Sequence, residues 1–413
     1  MIQSQMIYLV DGARTPFNRQ IKQASAKKYA YSKLDLGLIT SRAVLLKQAL
    51  SATHLDDVIV ASQASNNNND FAQQLSQRLQ CHPDLRSHTF TVGENCGLQA
   101  LEYAYQQLTL TPKSLILISG IETSKIPSIS FNPELSQWIS DWKNSQGLNK
   151  KLKLLNTLHT RHFRKKSSNT QEKKHYYSLH KELAEKTANY YSLSTEAMAE
   201  YVKLSQRRLK YAQRNKLIKN IVPLFYPDGA SLHRDEDIIN ADPESLKQTI
   251  ITGNPPTGII SNASVTQSTE GACTLLLATQ EALDKHNLTP LAQLSAPSWS
   301  SDNAIEILFN THNLSANEID YWEWDEISAA EILSLEKKPE FKEVEAFQSL
   351  DTVNIDGGSL ALGSPNSANK LRCILQLAHI LQRTQTHNGI CHFGSATDQS
   401  SALLLQNIQE RGK

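Results

Sequence analysis

No stretch of this sequence approaches the roughly 20 consecutive apolar residues that a bilayer-spanning helix needs, which argues against a membrane-spanning protein. The five cysteines (Cys81, Cys96, Cys273, Cys373, Cys391) are odd in number and widely spaced. They form no CxxC pair and no zinc pattern, so the reading is free thiols, a reducing cytoplasm and no metal site. An excess of one charge sign is also missing. The 42 Lys plus Arg residues meet 41 Asp plus Glu, a balance that argues against a protein built mainly to hold nucleic acid. Met1 to Met6 is short and polar, so no signal peptide is expected there.

What remains is ordinary for a soluble globular chain: 413 residues, 39% hydrophobic and 20% charged, enough for two or three packed units. Short apolar runs alternate with helical patterns. Strands are predicted at Ile7–Val10, Val58–Ala61, Phe90–Val92 and Leu115–Ser119, and helices at Leu36–Leu50, Phe71–Leu79 and Leu98–Leu108. That alternation implies an α/β unit with a largely parallel sheet. From about Pro127 to Pro255 the chain turns polar, basic and mostly helical. The rhythm returns with strands at Thr274–Ala278, Leu291–Ala296 and Ile319–Trp324, a helix at Asn303–Phe309, another at Leu371–Gln382, and strands near Ile390–Phe393 and Ala402–Leu405.

Five segments then fall in one order. They are Val10-Asp11-Gly12-Ala13-Arg14-Thr15-Pro16-Phe17; Leu98-Gln99-Ala100; Ser119-Gly120-Ile121-Glu122; Asn262-Ala263-Ser264 followed by Glu270-Gly271-Ala272; and Gly357-Gly358-Ser359-Leu360-Ala361-Leu362-Gly363. In that order they resemble the thiolase superfamily over nearly the whole chain. Arg14 to Gln20 and the basic stretch after Trp142 look closest to the ketoacyl-CoA thiolases of β-oxidation complexes. The resemblance implies two similar α/β halves stacked as αβαβα layers. Residues 1–126 and 255–280 would form the first half, 127–254 a helical insertion and 281–413 the second half. It also implies a homodimer paired through the sheet containing Phe90–Val92, and a coenzyme A thioester as ligand or substrate.

Thiolase chemistry needs a nucleophilic thiolate at a helix N-terminus, a base, a second acid/base, and donors for an oxyanion. Cys96 keeps the family's spacing from the preceding strand, at the cost of a two-residue deletion. Aligned without a gap, Glu94 takes the nucleophile position instead. The histidine of the family's GHP aligns with Ser364, which has no useful basicity near neutral pH. Losing such a base typically costs about 10²–10⁴ in rate. The second cysteine becomes Gly394 or His392, depending on the anchor, and His392 could in principle serve as an acid/base. The loop that follows reads Ala396-Thr397-Asp398. Asp325 takes the place of the Asn or His that positions an oxyanion-binding water, and an ionised Asp accepts hydrogen bonds rather than donating them. Glu326 matches the family glutamate. Two readings follow. One is a thiolase-like protein without standard thiolysis or condensation, acting as an acyl-CoA-binding or assembly subunit. The other is an altered acyltransferase that uses Cys96.

Lys143 to Lys166 carries eight basic and no acidic residues, with Leu148, Leu152, Leu155, Leu158 and Phe163 interleaved at roughly helical spacing. The resemblance implies that such an insertion contacts coenzyme A phosphates, here through Lys150, Lys151, Lys153 and Arg161. A basic amphipathic helix also suits an anionic membrane surface or an acidic partner subunit, and a solvated basic face is the plainer alternative.

Overall fold

A computed structural model describes residues 5–18, 31–63, 70–91, 93–123, 133–145, 147–158, 169–236, 258–301, 303–394 and 399–408. The chain opens with β1 (Ile7–Arg14), α1 (Lys33–Lys47), β2 (Asp57–Ala61), α2 (Phe71–Leu79), β3 (Arg86–Phe90), α3 (Cys96–Leu110) and β4 (Leu115–Glu122). Next come α4 (Pro133–Asn144), α5 (Leu148–Leu155), α6 (Asn169–Tyr190), α7 (Thr195–Arg214) and a hairpin of β5 (Leu224–Phe225) with β6 (Ser231–Leu232). The second half holds β7 (Gly271–Thr279), α8 (Gln280–His286), β8 (Ala292–Leu294), β9 (Ser298–Ser300), α9 (Ala304–His312), β10 (Tyr321–Trp324) and α10 (Ala329–Ser334). It closes with α11 (Glu345–Ser349), α12 (Ser359–Leu362), α13 (Asn366–Thr384), β11 (Asn388–Phe393) and β12 (Ser400–Asn407).

The main sheet runs β10-β11-β12-β8-β1-β7-β4-β2-β3, with β9 on β12. Among the described strands, β2–β3, β2–β4 and β10–β11 pair in parallel and the other pairs are antiparallel. The largely parallel sheet expected from the alternation is therefore corrected to a mixed one. The cause is connectivity, because parallel neighbours need a crossover helix, and β12 follows β11 directly and pairs with it antiparallel.

Side-chain alternation along the strands sorts the core into layers. Ile7 and Leu9 of β1, Ile59 of β2 and Ile116 and Ile118 of β4 join a central core built on α3 and α13. Their neighbours Tyr8, Val10, Val58, Val60, Leu115 and Leu117 face the opposite side, with Leu36 and Val44 of α1 and Leu75 of α2. In the second half Cys391 and Phe393 join the central core, while Ile390, Trp322 and Trp324 face an outer one with Ile305 and Val202. The order is helix, first half of the sheet, helix, second half of the sheet, helix, the α/β layering that the resemblance implies.

Local sequence explains the element ends. Ser32 and Asp35 form a reciprocal capping box at the start of α1, which satisfies donors that a helix start leaves free. Asp70 caps α2. The strand expected at Phe90–Val92 lies earlier, at Arg86–Phe90, in parallel register with β2. Its polar residues sit at a sheet edge, so hydrophobic pattern reveals only its last residue, and Val92 lies outside the described residues.

Residues 125–179 form a compact unit by themselves. Within it the Trp138 indole donates to Leu154 O at 2.8 Å and stacks on Trp142, tying α4 to α5. The later part of the segment expected as an insertion packs with the main unit: Met198, Tyr201 and Val202 of α7 are buried in the outer core. Residues 237–257 lie outside the described residues. Among the described residues no helix is long and apolar enough to cross a membrane.

Candidate active site

Three elements meet at the head of α3. A Cβ on Gly97 would lie 2.7 Å from Ser367 O, and one on Gly120 only 2.5 Å from the same atom. Glycine at these two positions is what lets α3 and β4 approach the first turn of α13. Cys96, the first residue of α3, is fully buried in the central core. Its Sγ lies 3.0 Å from Ser367 Oγ, and that hydroxyl donates to Glu122 Oε1 at 2.9 Å. Gln63 N donates to the same carboxylate oxygen at 2.6 Å, and Lys33 Nζ lies 3.5 Å from the other. Burial pushes the Cys96 thiol up to about 12, with the Glu122 charge adding to it and the Ser367 bond and Lys33 opposing. A helix N-terminus ordinarily favours a thiolate, and here desolvation outweighs it.

The two residues before Cys96 are also engaged. Glu94 Oε1 lies 2.6 Å from His180 Nε2, both side chains being buried. Asn95 Nδ2 donates to Gln399 O at 3.1 Å.

Asp325 follows the end of β10 and is buried. Its carboxylate accepts from the Lys370 ammonium, from Asn369 Nδ2 at 2.7 Å and from Ser359 Oγ at 3.3 Å. Lys370 belongs to the first turns of α13 and lies over the Phe393 ring, 5.6 Å from its centroid. Burial works against the Lys370 charge, yet the Asp325 and Glu94 carboxylates outweigh it and raise its pKa. The Asp325 oxygens are thus engaged as acceptors by donors from within the fold, whereas an oxyanion needs donors of its own. The neighbouring Glu326 accepts from Tyr201 Oη at 2.6 Å, Ser205 Oγ at 3.0 Å and Leu360 N at 3.0 Å. It ties α7 to α12.

Ser364 keeps a turn. Its N donates to Gln267 O at 2.8 Å and its O accepts from Thr269 N at 3.3 Å, and Gly363 before it has φ +73. His392 stacks on Trp324, ring centroids 3.9 Å apart, directly opposite it in the parallel register of β10 and β11. It therefore faces the outer core, across the sheet from Cys391, Phe393 and Cys96. Burial, with Lys338 and Lys370 adding, pushes its imidazole down to about 3. The structure does not bring His392 and Cys96 together. Gly394 is buried against Glu331, whose Oε1 would lie 2.7 Å from a Cβ at that position. Ala396, Thr397 and Asp398 lie outside the described residues.

Within the separate compact unit, Lys150 and Lys153 are exposed on α5, and Lys151 sits over the Trp142 ring at 5.6 Å. Arg161 lies outside the described residues, as do Phe163 and the basic residues from Arg164 to Lys166. Among the described residues no cluster of three or more His, Cys, Asp or Glu side chains could hold a metal ion.

Sequence reasoning missed Lys33, Glu122, His180, Ser367, Asn369, Lys370 and Glu331. A signal existed for three of them. Ser367, Asn369 and Lys370 are polar residues at the head of a helix whose remaining turns are apolar on nearly every side, and all three are buried. Polar side chains on a helix buried all round need partners.

The sequence matches the family descriptions "Thiolase, N-terminal domain" over residues 7–281 and "Thiolase, C-terminal domain" over residues 276–407. It is similar to Beta-ketoadipyl-CoA thiolase of Acinetobacter baylyi, 24% identical over 97% of this chain and 99% of that protein. It is also similar to 3-ketoacyl-CoA thiolase of an Enterobacter species, 21% identical over 97% and 99%. Among solved structures, human mitochondrial 3-ketoacyl-CoA thiolase superposes with a TM-score of 0.75 at 19% identity, covering 98% of this chain and 99% of that one. Acetyl-CoA acetyltransferase from Syntrophomonas wolfei gives 0.76 at 18% identity, covering 98% and 100%. At these identities the structural likeness establishes the fold.

Proposed function

The chain belongs to the thiolase family, and from that premise we propose that it binds acyl-CoA thioesters, or completes an assembly, without carrying an acyl group on Cys96. One observation supports this above all: the Cys96 thiol is buried, held at 3.0 Å from Ser367 Oγ and pushed up to about 12. Covalent acyl transfer needs a thiolate that substrate can reach. Asp325, which the resemblance sets at the oxyanion position, is engaged by Lys370, Asn369 and Ser359, and Ser364 offers no base. Glu94, which the ungapped alignment puts at the nucleophile position, is committed to His180.

The second reading is an altered acyltransferase in which Cys96 attacks the thioester. It is favoured by the place of Cys96 as the first residue of a 15-residue helix.

The homodimer belongs to the same proposal. β3 ends the sheet path, and an unpaired strand edge is a template for a second copy. The α5 lysines, with Leu152 and Leu155 exposed beside them, would meet coenzyme A phosphates, an anionic surface or an acidic partner.

Intact-mass spectrometry after incubation with acetyl-CoA, acetoacetyl-CoA and hexanoyl-CoA, paired with thermal unfolding, tests the proposal. The expected result is no covalent adduct and a rise in Tm with at least one thioester. A stable acyl adduct absent from Cys96→Ala would overturn it in favour of acyl transfer. No adduct and no thermal shift would remove the thioester and leave assembly.

A further inference from the structure

Resting on the reading that two copies of this chain pair along β3, we propose that a proton on Asp57 governs the pairing, so that the contact between copies loosens as pH rises past neutrality. Asp57 opens β2, the strand beside β3. Its side chain is fully buried, yet the nearest cationic groups stand beyond hydrogen-bonding distance, Arg86 Nε at 3.9 Å and His88 Nε2 at 3.6 Å. Both belong to β3 and both are engaged elsewhere on that edge. Arg86 Nη1 donates to Gln107 Oε1 at 3.2 Å, and Tyr103 Oη lies 2.9 Å from His88 Nε2. On the other side of Asp57, β4 sets Ile116 opposite it in register. Among the described strands β3 is paired on one side only, and each of its residues keeps part of its surface exposed. The carboxyl group therefore lies one strand in from water.

A second copy seated on that edge displaces the water. A charge without close donors becomes costlier as solvent is removed. Burial already pushes the Asp57 carboxyl up to about 7, the Arg86 charge and a backbone hydrogen bond opposing and Asp56 adding. Pairing raises it further, so the dimer holds protons that separate chains have released. By linkage, association then weakens as pH rises through and above about 7. The neighbouring groups do not supply the same dependence. Arg86 carries a permanent charge. Burial, with Arg86 adding and Asp70 at the start of α2 opposing, lowers the His88 pKa, so its imidazole is neutral in this window. Tyr103 on α3 is raised by burial and by Asp57, and keeps its proton. Asp56 is exposed and accepts from Leu115 N at 2.8 Å.

The test is fluorescence-detected sedimentation velocity of the full chain, from nanomolar to micromolar concentration, at pH 6.5 and 8.5. The expected result is a dimer whose dissociation constant is roughly tenfold or more larger at the higher pH. Asp57→Asn keeps the shape without the ionisation and should dimerise equally at both. His88→Gln should keep the dependence of the parent chain. A dissociation constant that does not move with pH, or one that moves as far in Asp57→Asn, would overturn proton control while leaving the homodimer intact. A chain that stays monomeric at both pH values would overturn both.

Discussion

The Cys96 sulfur lies 3.0 Å from the Ser367 hydroxyl, which in turn donates to Glu122. The thiol that sequence spacing offers as a nucleophile is thus the end of a buried polar chain joining α3, α13 and β4. With its pKa pushed up to about 12, it should resist alkylation. Iodoacetamide at pH 8 is expected to leave Cys96 unmodified in the folded protein and to modify it fully in urea, as read by peptide mapping. Rapid labelling of Cys96 in the native state would contradict this geometry. Cys96→Ser keeps a small hydrogen-bonding side chain and should cost little more than about 1 kcal/mol.

Lys370 and Asp325 form an ion pair with side chains 3% and 5% exposed. Removing one member leaves a charge without its partner in a dry place, which costs about 3–5 kcal/mol. Lys370→Met is therefore expected to lower unfolding free energy by that amount in urea titration. The double variant Lys370→Met, Asp325→Leu should recover most of the loss, because no lone charge remains. Additive losses in the double-mutant cycle would show that the two residues do not act as a pair.

The pair also shows where sequence reading ends. The scaffold was legible because strand and helix periods are local: Phe71–Leu79 is predicted and observed over the same residues, and β1, β2 and β4 begin within a residue of their apolar runs. The residues that the resemblance sets against the family's catalytic positions, Ser364, Asp325 and Gly394 or His392, are legible as identities. Their consequences are not. That Asp325 is answered by Lys370 depends on a contact 45 positions apart, and that Glu331 fills the space of Gly394 depends on one across 63 residues of chain. The predicted helix began at Leu371, five residues late, because Asn366 to Lys370 lack apolar periodicity; those omitted residues carry Ser367, Asn369 and Lys370. β3 was misplaced for the same reason, being a polar edge strand.

Tyr201 donates to Glu326 at 2.6 Å from α7, and Glu326 in turn holds Leu360 N. A hydrogen bond to a charged group is worth about 1.5–3 kcal/mol. Tyr201→Phe should lose that amount, with the fold retained because the ring still packs in the outer core. Glu326→Gln keeps the shape and loses the charge-assisted bonds, so it should be destabilised at least as much. Equal stability of Tyr201→Phe and the parent chain in urea would deny α7 this role in holding the α12 segment.

Asp57 is buried at the start of β2, with Arg86 Nε at 3.9 Å and His88 Nε2 at 3.6 Å from one carboxylate oxygen. Burial pushes its pKa from 3.8 up to about 7, partly offset by the Arg86 charge and by a backbone hydrogen bond, with Asp56 raising it slightly. The folded chain then holds a proton on Asp57, between about 4 and 7, that the unfolded chain has released. More protons bound in the folded state means that this group's contribution to stability falls as pH rises through that window and is constant above it. Glu323, pushed up to about 8, and Glu331 act in the same sense. His379 and His392, held down to about 4 and 3, act oppositely below their unfolded value of 6.5. Comparing Asp57→Asn with the parent cancels these other groups. The variant is expected to gain stability relative to the parent as pH rises from 5 to 8, measured as the difference in urea unfolding free energy at the two pH values. A difference that does not change with pH would mean that Asp57 ionises in the folded protein as it does in the unfolded one.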